Sequence, residues 1–510
     1  MSITSFSFLC CLVAVILIYY CIPKRVQWVF LLLVSLSYFA TTGYPILLIY
    51  PVVTTLVAYF GGMYLYKVKG PDKKKLVLSL VVFLSIGILG VLKYTNFFVY
   101  TRNAFSTRLF PESTLIPGIH FLVPLGISFY TLSLLGYVID IYYELEIPEQ
   151  NPFKLLLYGV YFPVMNSGPI LRFKDMKAEF FKPHVLQFEM LTKGMQRILW
   201  GFMKKLVIAE RLAILVNTVF DHNTDYGSLV LFLAAICFVI QLYADFSGYM
   251  DIVIGISQLF GIKIPENFNT PFFATSVAEF WRRWHMTLGA WLKDYLFYPL
   301  LRTPLFLSLP TKLKGKVGKK AAKQITVFSG MFLLWFTVGI WHGGAWKYII
   351  GSGLIHWFYI VMEEALEPVW KKMRVLLHIN LHARGYLAFQ RIRTLCLFSF
   401  AFIFFRAQSL GQGLVYIRRM ITTLRLRELV DGTVFQLGLE PVELVIVLVS
   451  LIAFYLVSKG QYLGIDIREK IATLSLPARW AIYYGLLFYV ILLGYYGPGY
   501  SAAEFIYQAF

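Results

Sequence analysis

Residues 228–260 read SLVLFLAAICFVIQLYADFSGYMDIVIGISQLF. The stretch is apolar along its length except for a central polar patch that includes two carboxylates, Asp245 and Asp251. Since a membrane-spanning helix needs about 20 predominantly apolar residues, the stretch is long enough to cross a bilayer. The carboxylates are candidate functional groups, because charge inside a membrane is costly and is retained for a reason.

Further apolar runs of spanning or nearly spanning length recur along the chain. They cover residues 5–22, 27–43, 45–66, 76–99, 119–142, 206–220, 325–341, 345–362, 394–408, 441–458 and 479–497. The predicted fold class is therefore an all-α polytopic membrane protein. No internal repeat or low-complexity linker divides the runs, so a single membrane domain over residues 1–510 is the simplest organisation.

The composition supports this fold class. Of the 510 residues, 58% are hydrophobic and 15% are charged, whereas about 25% are charged in a typical soluble protein. Such a chain is neither disordered nor a coiled coil, and it has too few polar residues to cover a soluble surface. Five cysteines lie in or beside apolar runs without a CxxC pair, which predicts neither a disulfide framework nor a zinc site.

The net charge of +20 indicates membrane topology and not nucleic-acid binding, because the basic residues collect in loops between apolar runs. Lys24 and Arg25 follow the first run and no basic residue precedes it, which predicts a retained first helix with its N-terminus outside. Residues 67–75, 302–323 and 371–393 are predicted to be cytoplasmic loops or stretches. Four arginines fit this alternation poorly: Arg418, Arg419, Arg425 and Arg427.

Two segments do not resemble spans. Residues 154–172 hold a short apolar run that is broken by prolines and a glycine, with basic residues at both ends, which predicts a re-entrant segment. Residues 193–211 place basic side chains at helical intervals along one stripe, which predicts an amphipathic helix at the membrane surface. The stripe consists of Lys193, Arg197, Lys204 and Arg211.

The first candidate site lies in the polar patch of residues 241–251. Gln241 and Asp245 are four residues apart and share one helix face. They could form a polar wall around a substrate. Alternatively, Asp245 forms an ion pair that joins two helices, with an arginine or a helix-start N–H as its partner. The ion pair is the favoured interpretation, because buried charges usually pair.

The second candidate site lies in residues 267–300, which contain SVAEFWRRWH at residues 276–285. Ser276 and Glu279 form a capping box, which predicts a helix that begins near Val277. Glu279 lies one turn from both arginines, and Trp281 and His285 are predicted to share a face. Arginine stacks on aromatic rings and binds phosphate in a planar fork, so Arg282 and Arg283 suit a phosphate-bearing donor such as a coenzyme thioester. An interfacial helix anchored by tryptophan and arginine is an equally good interpretation.

The third candidate site is TVGIWHGGAW, residues 337–346. His342 lies between two apolar runs and is followed by two glycines, which permit a tight turn or the close approach of a substrate. An imidazole at such a break can titrate near neutral pH and act as a general base. A histidine in an apolar helix is, however, more often a structural core residue.

The other histidines show no comparable pattern. His356 has neither a glycine break nor a nearby arginine, so a structural role is favoured. His378 and His382 are four residues apart but lie in a basic stretch without an HExxH pattern, so no metal site is predicted. The sequence contains no GxGxxG, Walker A or GxSxG motif, which excludes dinucleotide, nucleotide and common serine-hydrolase sites.

Taken together, these motifs resemble the membrane-bound O-acyltransferase (MBOAT) family, in particular its bacterial alginate O-acetyltransferase-like branch. The resemblance covers nearly the whole chain. Its most specific elements are FWRRWH at residues 280–285 and GIWHG at residues 339–343, in this order. It also includes KYTNFF from residue 93, PLGISFYT from 124, GPILRF from 168, residues 241–251, PENFN from 265, FRA from 405 and FIY from 505.

Two features depart from the family pattern. The tyrosine-rich segment usually continues as Pro-Leu-Gly-Gly, but here it reads YPLLR at residues 298–302. The Arg-Asn that usually precedes the histidine-bearing helix is replaced by Lys323 and Gln324. Both departures fall near the predicted cytoplasmic segment, so they concern contacts to the acyl donor more than the central histidine.

The resemblance implies a ring of tilted helices, with re-entrant segments, around a central reaction chamber in the cell membrane. It implies a core over residues 80–410, N-terminal spans over 1–79 and additional C-terminal spans over 411–510. It assigns the central histidine to His342 and a second site histidine to His285. The chamber-lining or substrate-binding residues are then Gln241, Asp245, Trp281, Arg282, Arg283, Trp341 and Gly343.

The implied activity is transfer of an acetyl group from a cytoplasmic thioester, acetyl-CoA, toward an extracytoplasmic polysaccharide or a partner acetyltransferase. No bound cofactor and no metal are implied. One alternative is D-alanyl transfer to teichoic acid, whose enzymes share the same core. A second alternative, from another class, is a lipid or glycan transporter without chemistry, although a transporter would be expected to show repeat symmetry.

Overall fold

A computed structural model describes residues 2–41 and 44–496. Throughout this described part, the regular secondary structure is helical. Among the described residues, seven helices are long and apolar enough to cross a membrane, or eight if a bent pair between Trp346 and Leu376 is one span. The predicted all-α polytopic fold is therefore confirmed. The C-terminal motif from residue 505 lies outside the described residues.

The chain divides into two compact units that interleave along the sequence. Unit 1 consists of residues 1–198 and 252–265, and unit 2 consists of residues 199–251 and 266–510. The single-domain assignment and the ring around a chamber stay predictions. All three candidate sites lie in unit 2.

Unit 1 contains the first helices of the chain. They are α1 Phe6–Cys21, α2 Gln27–Thr41, α3 Ile49–Lys67, α4 Pro71–Leu109, α5 Ile127–Tyr142, α6 Pro152–Val160, α7 Phe162–Met165, α8 Phe173–Phe181 and most of α9 Phe188–Phe202. α1 and α2 have only 16 and 15 residues, fewer than a straight span needs. α4 has 39 residues and is about 58 Å long, so it extends well beyond the predicted residues 76–99.

Unit 2 contains most of the remaining helices. They are α10 Glu210–Asp221, α11 Ser228–Leu259 (whose end belongs to unit 1), α12 Val277–Arg283, α13 Met286–Leu292, α14 Tyr298–Leu301, α15 Pro304–Val317, α16 Lys319–His342, α17 Trp346–Tyr348, α18 Ile355–Ala365, α19 Glu367–Leu376, α20 Arg384–Arg406, α21 Leu410–Thr422, α22 Pro441–Tyr462, α23 Ile467–Ala472 and α24 Leu476–Leu493. Three π-helical segments, Met203–Ala209, Lys293–Phe297 and Ile349–Leu354, are inserted between these helices. π-Helical insertions occur frequently at functional sites.

Two local signals explain where predicted helix boundaries shift. α5 begins at Ile127 and not near residue 119, because Gly126 has a φ of 68°, a conformation that favours glycine and breaks the helix. The predicted cytoplasmic loop over residues 302–323 is instead mostly α15, which starts with Pro304 at its first turn. Its lysines are exposed, as expected for a basic segment outside the apolar core.

Residues 154–172 contain a helix break, and the predicted re-entrant path of this segment stays a prediction. α6 ends at Val160, α7 is a single short turn, and the chain then continues without helix to α8. The Tyr158 hydroxyl donates to the carbonyl oxygens of Ser133 and Leu171 at 3.1 and 2.7 Å. The shorter bond gives a hydrogen-bond partner to the carbonyl of Leu171, which lies in the non-helical stretch between α7 and α8.

The predicted surface helix over residues 193–211 is wrong in its C-terminal half. α9, the π-helical segment Met203–Ala209 and α10 follow one another without a break, and Lys204, Lys205 and Arg211 are buried. The C-terminal half of the basic stripe therefore faces protein. Lys204 and Lys205 contact carboxylates on α11, and the Arg211 guanidinium donates to the Leu493 carbonyl at 2.5 Å.

Two of the four arginines that fit the charge alternation poorly, Arg419 and Arg425, have structural partners. Arg419 donates to the carbonyl oxygen of Asn223 at 3.1 Å, and Arg425 donates to that of Asp225 at 2.7 Å. Both therefore cap the loop between α10 and α11. A basic side chain that is used in this way is a weak topology signal, which explains the poor fit.

Candidate active site

His342 is the last residue of α16, and only 2% of it is exposed. Its Nδ1 lies 2.9 Å from the hydroxyl oxygen of Ser352. Ser352 belongs to the π-helical segment Ile349–Leu354, and its hydroxyl donates to the Tyr348 carbonyl at 2.8 Å. The central histidine is thus held at a fixed orientation by a buried hydroxyl that lies ten residues further along the chain.

Glycine at position 339 brings α16 and the π-helical segment together. A Cβ atom at Gly339 would lie 2.5 Å from the Cα of Ile349, which is closer than two non-bonded carbon atoms can approach. The glycine therefore allows the backbones of the two elements to touch. This close contact brings the side chain of Ser352 within hydrogen-bond distance of His342. Gly343 is buried and continues the chain in an extended conformation, with a φ of 167°.

His285 lies between α12 and α13 in a left-handed conformation, with a φ of 45°, and is 2% exposed. Its Nδ1 lies 3.1 Å from the side-chain oxygen of Asn267. Asn267 is fully buried, and its backbone oxygen accepts from the Met286 N–H at 2.9 Å. Since a non-glycine residue adopts this backbone conformation at a cost of about 1–3 kcal/mol, surrounding contacts must impose it.

Trp341 connects the two histidines. Its ring centroid lies 5.7 Å from that of His285 and 5.3 Å from that of His342. Phe246 contacts His285 edge-on at 5.0 Å, and Phe405 contacts His342 at 5.6 Å. The structure therefore brings His285, His342 and Trp341 into one buried aromatic cluster.

Trp281 lies elsewhere. It contacts His356 at 5.0 Å and Trp335 at 4.9 Å between ring centroids. The prediction that Trp281 and His285 share a helix face is wrong, because α12 ends at Arg283 and Trp284 is extended. His356 is fully buried among aromatic rings, and neither of its ring nitrogens has a hydrogen-bond partner among the described residues.

The two adjacent arginines have different environments. Arg283 pairs with Glu279 through two contacts, at 3.0 and 2.9 Å, as predicted for one of them. Arg282 is exposed and forms no hydrogen bond or ion pair with the residues that the structure describes. Consecutive helical residues point about 100° apart, so the two side chains cannot face one partner.

The helix that carries these arginines begins as predicted. The Ser276 hydroxyl accepts from the Glu279 N–H at 3.1 Å. The Glu279 carboxylate accepts from the N–H and hydroxyl of Thr275, both at 2.9 Å, and not from the Ser276 N–H that a capping box requires. Burial raises the pKa of the Glu279 carboxyl, but the hydrogen bonds from Thr275 and Arg283 outweigh it and hold that pKa below its ordinary value. The carboxylate is therefore ionised and fixes the start of the helix.

Asp245 and Asp251 pair with lysines and not with an arginine. Lys205 contacts Asp245, and the Lys204 ammonium lies 2.5 Å from Asp251 and 3.0 Å from the Ser247 hydroxyl. Asp245 and both lysines are buried. The expected arginine partner is therefore wrong, because the π-helical segment presents two lysines to α11 instead.

Gln241 lies one turn before Asp245 and is also buried. Its side-chain carbonyl oxygen has no hydrogen-bond partner in the part of the chain that the structure describes. A buried amide in this state is suited to a polar ligand. The chamber-lining roles of Gln241 and Asp245 stay predictions.

The membrane-bound O-acyltransferase family matches residues 142–406 of this sequence, which includes the polar patch of α11 and both site histidines. The chain belongs to the MBOAT family.

Three relatives that are similar to this chain are named for different polymers: alginate, peptidoglycan and teichoic acid. The probable alginate O-acetylase AlgI of Pseudomonas aeruginosa is 32% identical over 354 residues, which cover 68% of this chain and 63% of the relative. The peptidoglycan O-acetyltransferase of Helicobacter pylori is 29% identical and covers 71% of this chain and 68% of the relative. The teichoic acid D-alanyltransferase of Bacillus subtilis is 35% identical over 49% of this chain and 62% of the relative. The chain thus spans less than two thirds of the length of the first of these relatives.

Two residues of this MBOAT site were not singled out from the sequence, Ser352 and Asn267. Serine in a glycine-rich apolar stretch carries no local signal, because serine often bonds its own helix backbone. Asn267 lies in the PENFN motif, and a buried asparagine beside a phenylalanine is a weak hint of a polar network. Only the tertiary contacts show that each binds an imidazole.

The different environments of the two arginines predict different effects of mutation. If the acyl donor carries phosphate, Arg282→Ala is expected to raise the KM for the donor about tenfold, because a charge-assisted contact to a phosphate contributes about 1.5–3 kcal/mol. Arg282→Lys should fail nearly as badly if the contact is bidentate. Steady-state kinetics of the purified variants measures both.

Arg283 is the matched control. Arg283→Ala removes the ion pair to Glu279 and is expected to lower stability by about 1 kcal/mol with little change in KM. A normal donor KM in both Arg282 variants would show that Arg282 does not bind the donor.

Proposed function

We propose that this protein is a membrane-embedded O-acyltransferase that moves an acetyl group from cytoplasmic acetyl-CoA toward a hydroxyl of an extracytoplasmic polysaccharide. The proposal places the protein in the cell membrane, with either the glycan itself or a partner acetyltransferase as the acceptor. The observation that carries it is the buried imidazole of His342, oriented by Ser352 within the MBOAT match.

His342 supplies the proton transfer that the reaction needs. The acceptor O–H bond breaks as its proton moves to Nε2 of His342, and the oxygen electron pair forms a bond to the thioester carbonyl carbon. The C–S bond then breaks, its electron pair stays on sulfur, and the thiolate takes the proton from Nε2. The products are an ester and a free thiol, and the imidazole returns to its starting state.

The aromatic surroundings favour this chemistry. Trp341, Phe405 and Phe246 cover the two histidines and leave each of them 2% exposed. A site that excludes bulk water protects the thioester from hydrolysis and strengthens electrostatic interactions.

The donor is proposed to approach from the side of Arg282. Arg393 on α20 donates to the carbonyl of Thr275, just before α12, at 2.9 Å and lies 3.4 Å from Glu363. α12 therefore lies beside residues 371–393, which the sequence predicts to be cytoplasmic. The exposure of Arg282 on this helix supports a contact with the phosphates of a coenzyme thioester.

Acetyl-CoA thioester cleavage by the purified protein in nanodiscs tests the proposal. Release of free thiol that depends on an added polysaccharide acceptor and on His342 is the expected result. Transport of a lipid or glycan without thiol release would favour the transporter alternative and overturn the proposal.

D-alanyl transfer is a second candidate, favoured by the 35% identity to the Bacillus subtilis relative. The two candidates differ in the donor thioester. Turnover of a D-alanyl thioester on a carrier protein, without turnover of acetyl-CoA, would favour the second candidate.

The lysines of α15 and the start of α16 give a further expected result. Lys312, Lys314, Lys316, Lys319 and Lys320 are exposed, and their positive potential should attract an anionic donor. Replacing all five with glutamine is expected to raise the apparent KM for acetyl-CoA at low salt, with a smaller effect at high salt. Glutamine at exposed Arg418 and Arg427 is the control and should leave the KM unchanged.

The sidedness of this segment is tested by labelling. A single cysteine introduced into α15 should react only from the cytoplasmic side, once exposed Cys10, Cys11 and Cys21 are replaced with serine. Labelling from the outside would contradict the placement.

A further inference from the structure

Both histidines contact a buried oxygen through the same ring nitrogen. Nδ1 of His285 lies 3.1 Å from Asn267 Oδ1, and Nδ1 of His342 lies 2.9 Å from Ser352 Oγ. Asn267 and Ser352 are both fully buried. Because a neutral imidazole carries one N–H, the roles of these two oxygens decide which nitrogen of each ring is protonated.

The Asn267 oxygen must accept. The backbone N–H of Thr287, which can only donate, lies 3.2 Å from the same Oδ1. An exchange of the amide oxygen and nitrogen would place an NH₂ group against that N–H. The Asn267 nitrogen instead donates to Met250 Sδ at 3.4 Å. His285 therefore donates from Nδ1, and its Nε2 carries the lone pair.

The Ser352 oxygen is also an acceptor. Its single proton is donated to the Tyr348 carbonyl one helical turn earlier, at 2.8 Å. The lone pairs of the hydroxyl remain for His342, which must then donate from Nδ1. Nε2 of His342 is consequently the nitrogen that can take a proton, as a general base requires.

We propose that Asn267 and Ser352 are positioning residues that hold His285 and His342 as Nδ1–H tautomers, so that the lone pair of each ring lies on Nε2 and Nε2 of His342 can take the single proton of the acceptor hydroxyl during acyl transfer. His285 then does not donate a hydrogen bond to the thioester carbonyl in its neutral form. Instead its Nε2 presents a lone pair beside Trp341. The catalytic consequence rests on the proposed acyltransferase function, whereas the tautomers themselves do not.

Nitrogen-15 NMR of histidine-labelled protein in nanodiscs tests the tautomers directly. His285→Gln and His342→Gln, each lacking one signal, assign the two rings. Protonated Nδ1 and unprotonated Nε2 are expected for both. A protonated Nε2 with an unprotonated Nδ1 at either ring would overturn the proposal. The measurement needs no turnover, so its failure is distinct from a failure of the proposed function.

Kinetics tests the consequence. Ser352→Ala and Asn267→Leu remove the acceptor oxygens and are expected to lower kcat by on the order of 10- to 100-fold, the loss typical of residues that orient a metal-bound imidazole, with the KM for acetyl-CoA unchanged. Asn267→Asp keeps an acceptor oxygen and should restore most of kcat. A native kcat in the two variants, with unchanged tautomers, would contradict the positioning role.

A buried hydroxyl outside the cluster supplies the control. Ser399 on α20 is buried, and its hydroxyl has no hydrogen-bond partner among the described residues. Ser399→Ala removes one buried hydroxyl, as Ser352→Ala does, and should leave kcat unchanged. His285→Gln tests the second nitrogen, because glutamine can donate to a carbonyl but cannot take up a proton. Native activity of this variant would show that proton uptake at position 285 is not needed for acyl transfer.

Discussion

Alanine at position 342 is expected to lower the rate of acyl transfer by about 10²- to 10⁴-fold, the usual loss when a general base is removed. The fold should persist, because the substitution removes the contacts of a single side chain. These contacts include the hydrogen bond to Ser352 and the ring contacts with Trp341 and Phe405. The measurement is thiol release from acetyl-CoA by purified protein, together with its thermal unfolding temperature. Near-normal transfer by a well-folded His342→Ala protein would exclude the general-base role.

His356 provides the matched control, with a substitution chosen from its surroundings. The ring is enclosed by aromatic side chains, with Phe398 at 5.1 Å and Phe402 at 5.6 Å between centroids. His356→Ala would leave a cavity and confuse stability with activity. His356→Phe keeps a planar aromatic ring, somewhat larger than imidazole, and removes two polar atoms that have no hydrogen-bond partner in the described structure. It is expected to keep both activity and stability.

Breaking the buried pair between Lys205 and Asp245 is expected to produce the largest loss of stability. Asp245→Ala leaves the Lys205 ammonium buried without that carboxylate, which typically costs about 3–5 kcal/mol. The side chains are only 8% and 7% exposed, so solvent screens the pair little. Thermal unfolding in detergent or nanodiscs measures the loss.

A double replacement separates charge pairing from packing. Lys205→Met together with Asp245→Leu removes both charges at similar volume and should recover much of the lost stability. Activity should recover with it if the pair serves only to join α11 to the π-helical segment. A stable but inactive double variant would instead support Asp245 as part of the substrate chamber.

The residues of α11 show why sequence reasoning reached part of the site. The apolar run of residues 228–260 identifies a span, and buried carboxylates in a span require a partner. The identity of that partner is not encoded locally. Lys204 belongs to a set of basic residues at helical intervals, a pattern that is typical of a surface helix. Only the packing of Lys204 against Asp251 and of Lys205 against Asp245 shows that both lysines are buried.

The segment around His285 illustrates the opposite error. The sequence pattern predicts that the helix continues through residues 281–285. In the structure the helix ends at Arg283, Trp284 is extended, and His285 has a left-handed backbone conformation. The break follows from contacts that are distant in sequence, since Asn267 binds the backbone of residue 286 and the ring of residue 285. Local propensity contains no information about such contacts.

The sequence by itself determined that the chain is an all-helical membrane protein of the MBOAT family, with His342 at a glycine-flanked break and a helix that begins at Ser276. These features depend on hydrophobic run length, capping residues and motif order, which are local properties. The tertiary structure alone decided which groups meet. Ser352 reaches His342, Asn267 reaches His285 and Trp341 contacts both, because the π-helical insertion, the backbone contact at Gly339 and the left-handed turn at His285 depend on packing between segments that are far apart in the chain.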